Sequence, residues 1–566
     1  MKKAWLIALM ALSDPMASQA AAPDTPKLIV VISVDQFSAD LFAEYRQTYV
    51  AGLKRLANGV VFPSGYQSHA ATETCPGHAT ILTGSHPGRA GIVANQWIDY
   101  AVTRGKSGSH TVYCAEDERQ PGTTASTADY VVSPIHLRVP TMGDRMKQAD
   151  LRSRVVSIAG KDRAAVMMGG HLTDSIWYFD PKKAASFVTL PDRDQTPPAV
   201  VRQVNARVAA LMAKPVTSAL PPACAAKSVP LKAGPGGNMI GVLANPEGRF
   251  RATPEFDRAT ADIAIGLLRS MQLGMGPAPD LLAIGLSAND YVGHHFGTAG
   301  AEMCAQQVAL DHTVGRILAA LDATGVPYAV VLTADHGGSD ASERQAQRGF
   351  PDAGLLDHTF NLNQIGRELA AEFKLDIDGN SLLEGADQGD VLPAHGLAGQ
   401  GDVYLSHTVS AALRPRLLAA AKAKMLAFPQ VQAVFIADEV ANATLSGLPV
   451  EDWTLMERAH ASYDRARSGD LLVFLRPRST PALQRAYTAT HGSPWNYDRR
   501  VPMLFAYPGM IPHEQPMPVE TVDILPTLAA LIGLKVPREE IDGRCIDLDA
   551  GPGNTCPKLA YGALRN

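Results

Sequence analysis

The chain has 566 residues, 46% hydrophobic and 19% charged, which supplies a large core and excludes a disordered chain. Its 51 basic and 56 acidic side chains leave a net charge of −5, so no nucleic-acid-binding domain is expected. Gly (48) and Pro (40) are somewhat frequent, as in a loop-rich globular protein, but follow no collagen-like period.

At the N-terminus, Lys2 and Lys3 precede an apolar run from Ala4 to Leu12, and small residues follow from Ala17 to Ala22. This is the layout of a secretory signal peptide over residues 1–22, with Asp14 and Pro15 leaving the cut position open. The run is shorter than the roughly 18 apolar residues of a membrane span, and no other stretch reaches that length. An exported protein, periplasmic or secreted, without a membrane span is expected. Six cysteines fit an oxidising compartment. They allow fifteen pairings. Cys545 and Cys556 are close enough to bridge locally, and Cys75–Cys114 with Cys224–Cys304 would complete a pairing in sequence order.

Lys27 to Val34 is a nearly continuous β-branched run, as in a buried parallel strand, and it ends at Asp35. Arg154 to Ile158 leads to Lys161 and Arg163. Leu281 to Leu286 leads to Asn289 and Asp290. Tyr328 to Leu332 leads to Asp335 and His336. Leu471 to Leu475 and Met503 to Ala506 are further strand candidates. Helical spacing covers Thr260 to Leu273, Gln306 to Leu321 and Val522 to Ile532. Alternating strands and helices predict an α/β three-layer sandwich, a mostly parallel sheet flanked by helices, with ligands beyond the carboxyl ends of the strands. One catalytic domain over 23–566 is expected, with cap-like insertions near 182–256 and 340–479.

Five motifs carry chemistry. In D-Y-V-G-H, Asp290 and His294 fall on one face of a helical turn and suit one metal, although taken alone the motif is better explained by a helix cap. Asp335-His336-Gly337-Gly338 follows a strand and reads either as a metal pair or as a turn with an incidental His. Asp35 is a ligand or a helix N-cap. In T-E-T-C-P-G-H-A-T, Pro76 reads as an early helical position, so Thr74 is either a nucleophile in the helix field or a plain cap. His78 is expected to pack against the sheet. His491-Gly492-Ser493 is a His in a turn. Asp35, Asp290, His294, Asp335, His336 and His491 together suffice for two divalent ions, which would clamp an in-line phosphoryl displacement. Asp376, Asp378 and Asn380 start like an EF-hand. Ser381 replaces the needed Gly and no Glu closes the loop, so an additional Ca²⁺ or Mg²⁺ has no clear motif behind it.

The run T-E-T-C-P-G-H-A-T-I-L-T-G-S-H-P-G-R-A-G-I-V-A-N-Q-W, with V-D-Q, D-Y-V-G-H, T-A-D-H-G and H-G-S in this order, resembles the alkaline phosphatase superfamily. It is most similar to the monomeric threonine-nucleophile alkaline phosphatases of bacterial periplasm. The resemblance implies a zinc-dependent hydrolase of small-molecule phosphate monoesters, with a phospho-threonine intermediate on Thr74 and two Zn²⁺ per chain. It implies Asp35, Asp335 and His336 on the zinc that also contacts Thr74, and Asp290, His294 and His491 on the other. It implies Asn95, Lys161 and Arg163 as catalytic and substrate-binding residues, the last two gripping the non-bridging oxygens. A sulfatase is excluded, because Pro76 directly follows Cys75 and no Arg completes C-x-P-x-R. Cys75 is expected to be bridged. Two other readings stand beside this one: a phosphodiesterase or nucleotide pyrophosphatase of the same superfamily, and a non-enzymatic metal- or phosphate-binding protein on the same fold. The Lys-x-Arg pair favours monoesters.

Overall fold

The computed structural model describes residues 25–102, 110–120, 130–182, 185–191, 196–213, 217–218, 220–228, 231, 243–244, 250–356, 359–376, 382–385, 400–480 and 488–556. The expected signal segment lies outside them, as do Asp378, Asn380 and Ser381 of the calcium-like turn.

Ten strands form the central sheet: β1 (Leu28–Val34), β2 (Val60–Tyr66), β3 (Val155–Ala159), β4 (Ser175–Asp180), β5 (Ser186–Val188), β6 (Asp280–Leu286), β7 (Tyr328–Thr333), β8 (Arg500–Ala506), β9 (His513–Glu514) and β10 (Val519–Glu520). Their order is β9-β2-β8-β7-β1-β6-β3-β4-β5, with β10 also on β2. The middle strands β7, β1, β6, β3 and β4 run parallel. β8 is antiparallel to both β7 and β2, and β5 is antiparallel to β4.

Every residue of β1 is buried, as its unbroken apolar run requires of a strand covered on both faces. The pleat divides that run. Leu28, Val30, Ile32 and Val34 pack with Phe256, Ile263 and Leu267, and with Leu310, Val314 and Ile317. Ile29 and Val31 face the opposite layer, with Ile81, Leu82, Met168, Leu525 and Leu528. The helices that supply these residues are α1 (Thr74–Thr83), α2 (Asp162–Gly169), α3 (Pro254–Ser270), α5 (Ala301–Asp322) and α6 (Ile524–Leu531), and α4 (Ala288–Phe296) adds Val292 to the first cluster. The expected three layers are therefore present.

The differences from the sequence reading have local causes. α3 begins at Pro254, ahead of the expected Thr260, because Thr253 takes the N-cap and proline suits the first turn. β2 contains Pro63 and Gly65. Its pairing with β8 is irregular between Val501 and Met503, so Pro63 and Pro502 both fall where the ladder is broken. Leu471–Leu475 is a strand, but of a separate four-stranded sheet with Leu383–Gly385, Gln400–Leu405 and Val431–Ile436. All six cysteines are bridged, as Cys75–Cys114, Cys224–Cys304 and Cys545–Cys556. No helix among the described residues is long and apolar enough to cross a membrane.

Candidate active site

The sheet delivers the motif residues to one edge. Asp35 follows β1, Lys161 follows β3, Asp290 lies two residues into α4 after β6, and Asp335 and His336 follow β7. α1 comes close to this edge because of Gly77: a Cβ there would lie 2.0 Å from the Asp335 carbonyl oxygen. Glu73 takes the N-cap of α1 and Thr74 is the first helical residue, so Thr74 is not the cap. Its Oγ1 is buried and accepts from Lys161 Nζ at 3.3 Å and Arg163 Nη2 at 3.4 Å.

Lys161 Nζ also lies 2.7 Å from Asp290 Oδ2 and 2.9 Å from Asp35 Oδ2, joining the two carboxylates across the site. His294 Nε2 and His491 Nε2 each stand 3.4 Å from Asp290 Oδ1. His336 Nε2 is 3.2 Å from Asp335 Oδ2, and its ring stacks on His491 at 3.6 Å. Ligand atoms of Asp35, His78 and Asp335 gather within 4.8 Å, and so do those of Asp290, His336 and His491. The resemblance puts His336 with Asp35 and Asp335; here it lies beside Asp335, but its ligand atom gathers with those of Asp290 and His491, and His78 stands with Asp35 and Asp335. His294 is held beside the Asp290 group through Asp290 itself.

The histidines are oriented for ligation. Nδ1 of His294, His336 and His491 donates to the carbonyls of Ala489, Gly337 and Thr72, at 3.0, 2.8 and 2.9 Å. That leaves the Nε2 lone pairs of His294 and His491 facing inward, whereas at His336 burial is outweighed by Asp335, which raises the pKa of the ring. Asp335 Oδ1 accepts from the backbone N–H of Gln36 and of His336, so Oδ2 is the oxygen left toward the centre. Both oxygens of Asp35, Asp290 Oδ1, Asp335 Oδ2 and His336 Nε2 are buried and form no hydrogen bond of good geometry among the described residues. Buried polar atoms of this kind call for a partner, and aspartate oxygens with imidazole nitrogens form a donor set suited to zinc.

The electrostatics agree. Burial would raise the Asp290 pKa, but Lys161, His294 and His491 outweigh it and hold the carboxyl well below its ordinary value. For Asp335, burial is outweighed in the same way by His336 and His78. Burial lowers His294 to about 4 and also lowers His491, so both rings are neutral at pH 7, the state that ligates a metal.

His78 is the residue that sequence reasoning set aside. Its Nε2 is 3.3 Å from Asp35 and its Nδ1 3.3 Å from Asp335, so it contacts the site as well as packing under it. Burial opposes its protonation, but the two carboxylates prevail and bring it to about 9. Glu73 was also missed. It accepts from the Asn95 N–H at 2.7 Å, while Asn95 Oδ1 accepts from the Cys75 N–H at 2.9 Å. Glu73 could have been found from its place just before Thr74, at the start of α1.

Residues 29–494 match the family described as type I phosphodiesterase/nucleotide pyrophosphatase. The chain belongs to this family. Among its relatives, alkaline phosphatase PhoD of Zymomonas mobilis subsp. mobilis is 48% identical over 94% of this chain and 89% of its own. Alkaline phosphatase PhoK of a Sphingomonas species is 46% identical over 95% of this chain and 94% of its own. The crystal structure of alkaline phosphatase PafA superimposes with a TM-score of 0.77 at 25% identity, covering 93% of this chain and 99% of that one. The chain is thus a phosphatase of the alkaline phosphatase superfamily, with two candidate metal sites.

Proposed function

We propose that this phosphatase is a zinc-dependent alkaline phosphatase that hydrolyses small-molecule phosphate monoesters through a phospho-threonine intermediate. The observation that carries the reading is the convergence of Lys161 and Arg163 on Thr74 Oγ1, at 3.3 and 3.4 Å. A monoester dianion needs cationic donors at its non-bridging oxygens, and an arginine can supply two parallel hydrogen bonds. Asp35, Asp335 and His336 would hold one Zn²⁺ near Thr74, and Asp290, His294 and His491 the other. When bound, the ions supply positive charge that lowers the pKa of the hydroxyl and of water and stabilises the departing oxygen.

The residues of the chain do the rest. Thr74 Oγ1 releases its proton to solvent and attacks phosphorus in line, so a new O–P bond forms as the ester O–P bond breaks, and the leaving group departs with its electron pair and takes a proton from solvent. Lys161, Arg163 and the Asn95 side chain hold the phosphoryl oxygens through the step. Water then attacks phosphorus from the opposite side and Thr74 leaves, taking up a proton. In the same reading, residues 1–22 direct export to the periplasm or medium, and the segments near 182–256 and 340–479 are insertions in one catalytic domain.

The test is hydrolysis of p-nitrophenyl phosphate beside its bis-ester by zinc-loaded protein at alkaline pH. A strong monoester preference supports the reading. The phosphodiesterase alternative, favoured by the name of the matched family, would show the reverse preference. Thr74→Ala should lose at least about a hundredfold in kcat, roughly 2.7 kcal/mol, with an unchanged far-UV spectrum. Near-wild-type turnover would remove Thr74 from the role of nucleophile.

A further inference from the structure

We propose that a cavity of about 320 Å³ flanking Thr74 seats the organic part of the substrate and selects monoesters that carry a second anionic group, a phosphate or a carboxylate. This rests on the phosphomonoesterase reading above. The cavity lies at the carboxyl ends of β3 and β4, the edge that carries the site. Lys161 and Arg163 line it and also reach Thr74, so the cavity and the phosphoryl position share a wall.

Its chemistry is cationic and aromatic. Beyond Lys161 and Arg163, the lining includes Lys182 and Arg251, against two acids, Asp162 and Asp180. Both acids are engaged within the protein. Asp162 accepts from the hydroxyls of Tyr113 and Tyr130 and from the Arg163 N–H, and Asp180 Oδ1 accepts from the Lys182 N–H. The outer cations rest on tyrosine rings. Lys182 Nζ is 5.6 Å from the Tyr130 centroid, and Arg251 is 4.5 Å from that of Tyr291, whose hydroxyl accepts from Arg251 at 2.8 Å. Such contacts help to hold a cation in place.

The Tyr291 ring also carries Lys161, at 5.3 Å from its centroid. Lys161 and Arg251 are therefore no more than about 10 Å apart, sharing one ring as a neighbour. Lys161 serves the reacting phosphoryl group. Arg251, with Lys182, forms a second cationic station that the reaction itself does not need. Two such stations separated by a short span suit a compact carbon backbone bearing an anion at each end.

The test compares kcat/KM for fructose 1,6-bisphosphate and for glycerol 1-phosphate, using the zinc-loaded full chain. Wild type should prefer the bisphosphate at least about tenfold, and the preference should shrink with added salt. In Lys182→Gln/Arg251→Gln, the loss on the bisphosphate should exceed that on glycerol 1-phosphate at least about fivefold, mainly through KM. The charge-retaining pair Lys182→Arg/Arg251→Lys should keep most of the preference, which separates charge from folding. No preference in wild type, or equal losses on both esters, would overturn the assignment while leaving the phosphomonoesterase reading intact. If neither monoester is turned over and the bis-ester is, both readings fall.

Discussion

In the proposed mechanism Asn95 is a neutral donor, and its surroundings hold it in place. With its Oδ1 bound to the Cys75 N–H, the Nδ2 hydrogens are the ones left to offer to an anion. Glu73 fixes the same residue through its backbone and is thus a positioning residue. Glu73→Ala should lower kcat/KM about tenfold, ~1.4 kcal/mol, with Tm little changed. Asn95→Ala should cost a similar amount, and the double variant less than the sum, because both act through one donor. Additive losses in steady-state kinetics would show that Glu73 works by another route. The carboxylates make a second residue-scale prediction. Chelation should abolish activity, and restoring zinc at a hundred times its Kd should stabilise the fold by about 2.7 kcal/mol, seen as a rise in melting temperature. An unchanged melt would argue against metal in these sites. Asp35, Asp290, His294, Asp335 and His336 were legible because each follows a strand or recurs within one helical turn, and His491 only through the order of the motifs. His78 was not, since only the fold brings Asp35 and Asp335 to either side of its ring.

At the scale of elements, the approach of α1 to β7 sets the position of Thr74. Gly77→Ala would place a methyl group against the Asp335 carbonyl, so the helix must move. A loss of about 1–3 kcal/mol in stability, together with a larger fall in kcat than Tm alone explains, is expected from denaturation and kinetics. α6 gives a pH prediction. Asp523, just before it, accepts from the N–H of Arg544 and of Glu520. Burial, and next the Glu520 carboxylate, push it from 3.8 up to about 7. Between these values the folded chain keeps a proton that the unfolded chain has released, so this group's contribution falls as pH rises through that window. Asp523→Asn should flatten that part of the Tm–pH curve, and an unaltered slope would refute it. Elements were legible where a run was continuous, as in β1, β6 and β7. β2 was hidden by Pro63 and Gly65. Leu471–Leu475 was legible as a strand but not as a member of another sheet, because its partners lie far from it in sequence.

Across the whole molecule, the Cys75–Cys114 bridge joins the residue after Thr74 to the one after the strand Thr111–Tyr113. The Tyr113 hydroxyl donates to Asp162 at 2.9 Å and accepts from Arg163 at 3.4 Å. The bridge thus couples the start of α1 to the support of the arginine. Cys75→Ser/Cys114→Ser should lose about 2–4 kcal/mol of stability in urea denaturation. A loss of less than about 0.5 kcal/mol would mean that the hairpin is held without it.

The order of the sheet has a further consequence. β8 arrives near the end of the chain, yet it lies between β2 and β7, and His491 is made only just before it. Synthesis begins at the other end. A chain emerging from the ribosome carries Asp35, Thr74 and Lys161 long before it carries the last of its donors. A product that stops before His491 would therefore lack one of the proposed metal donors as well as β8, so activity is expected only once both have been made.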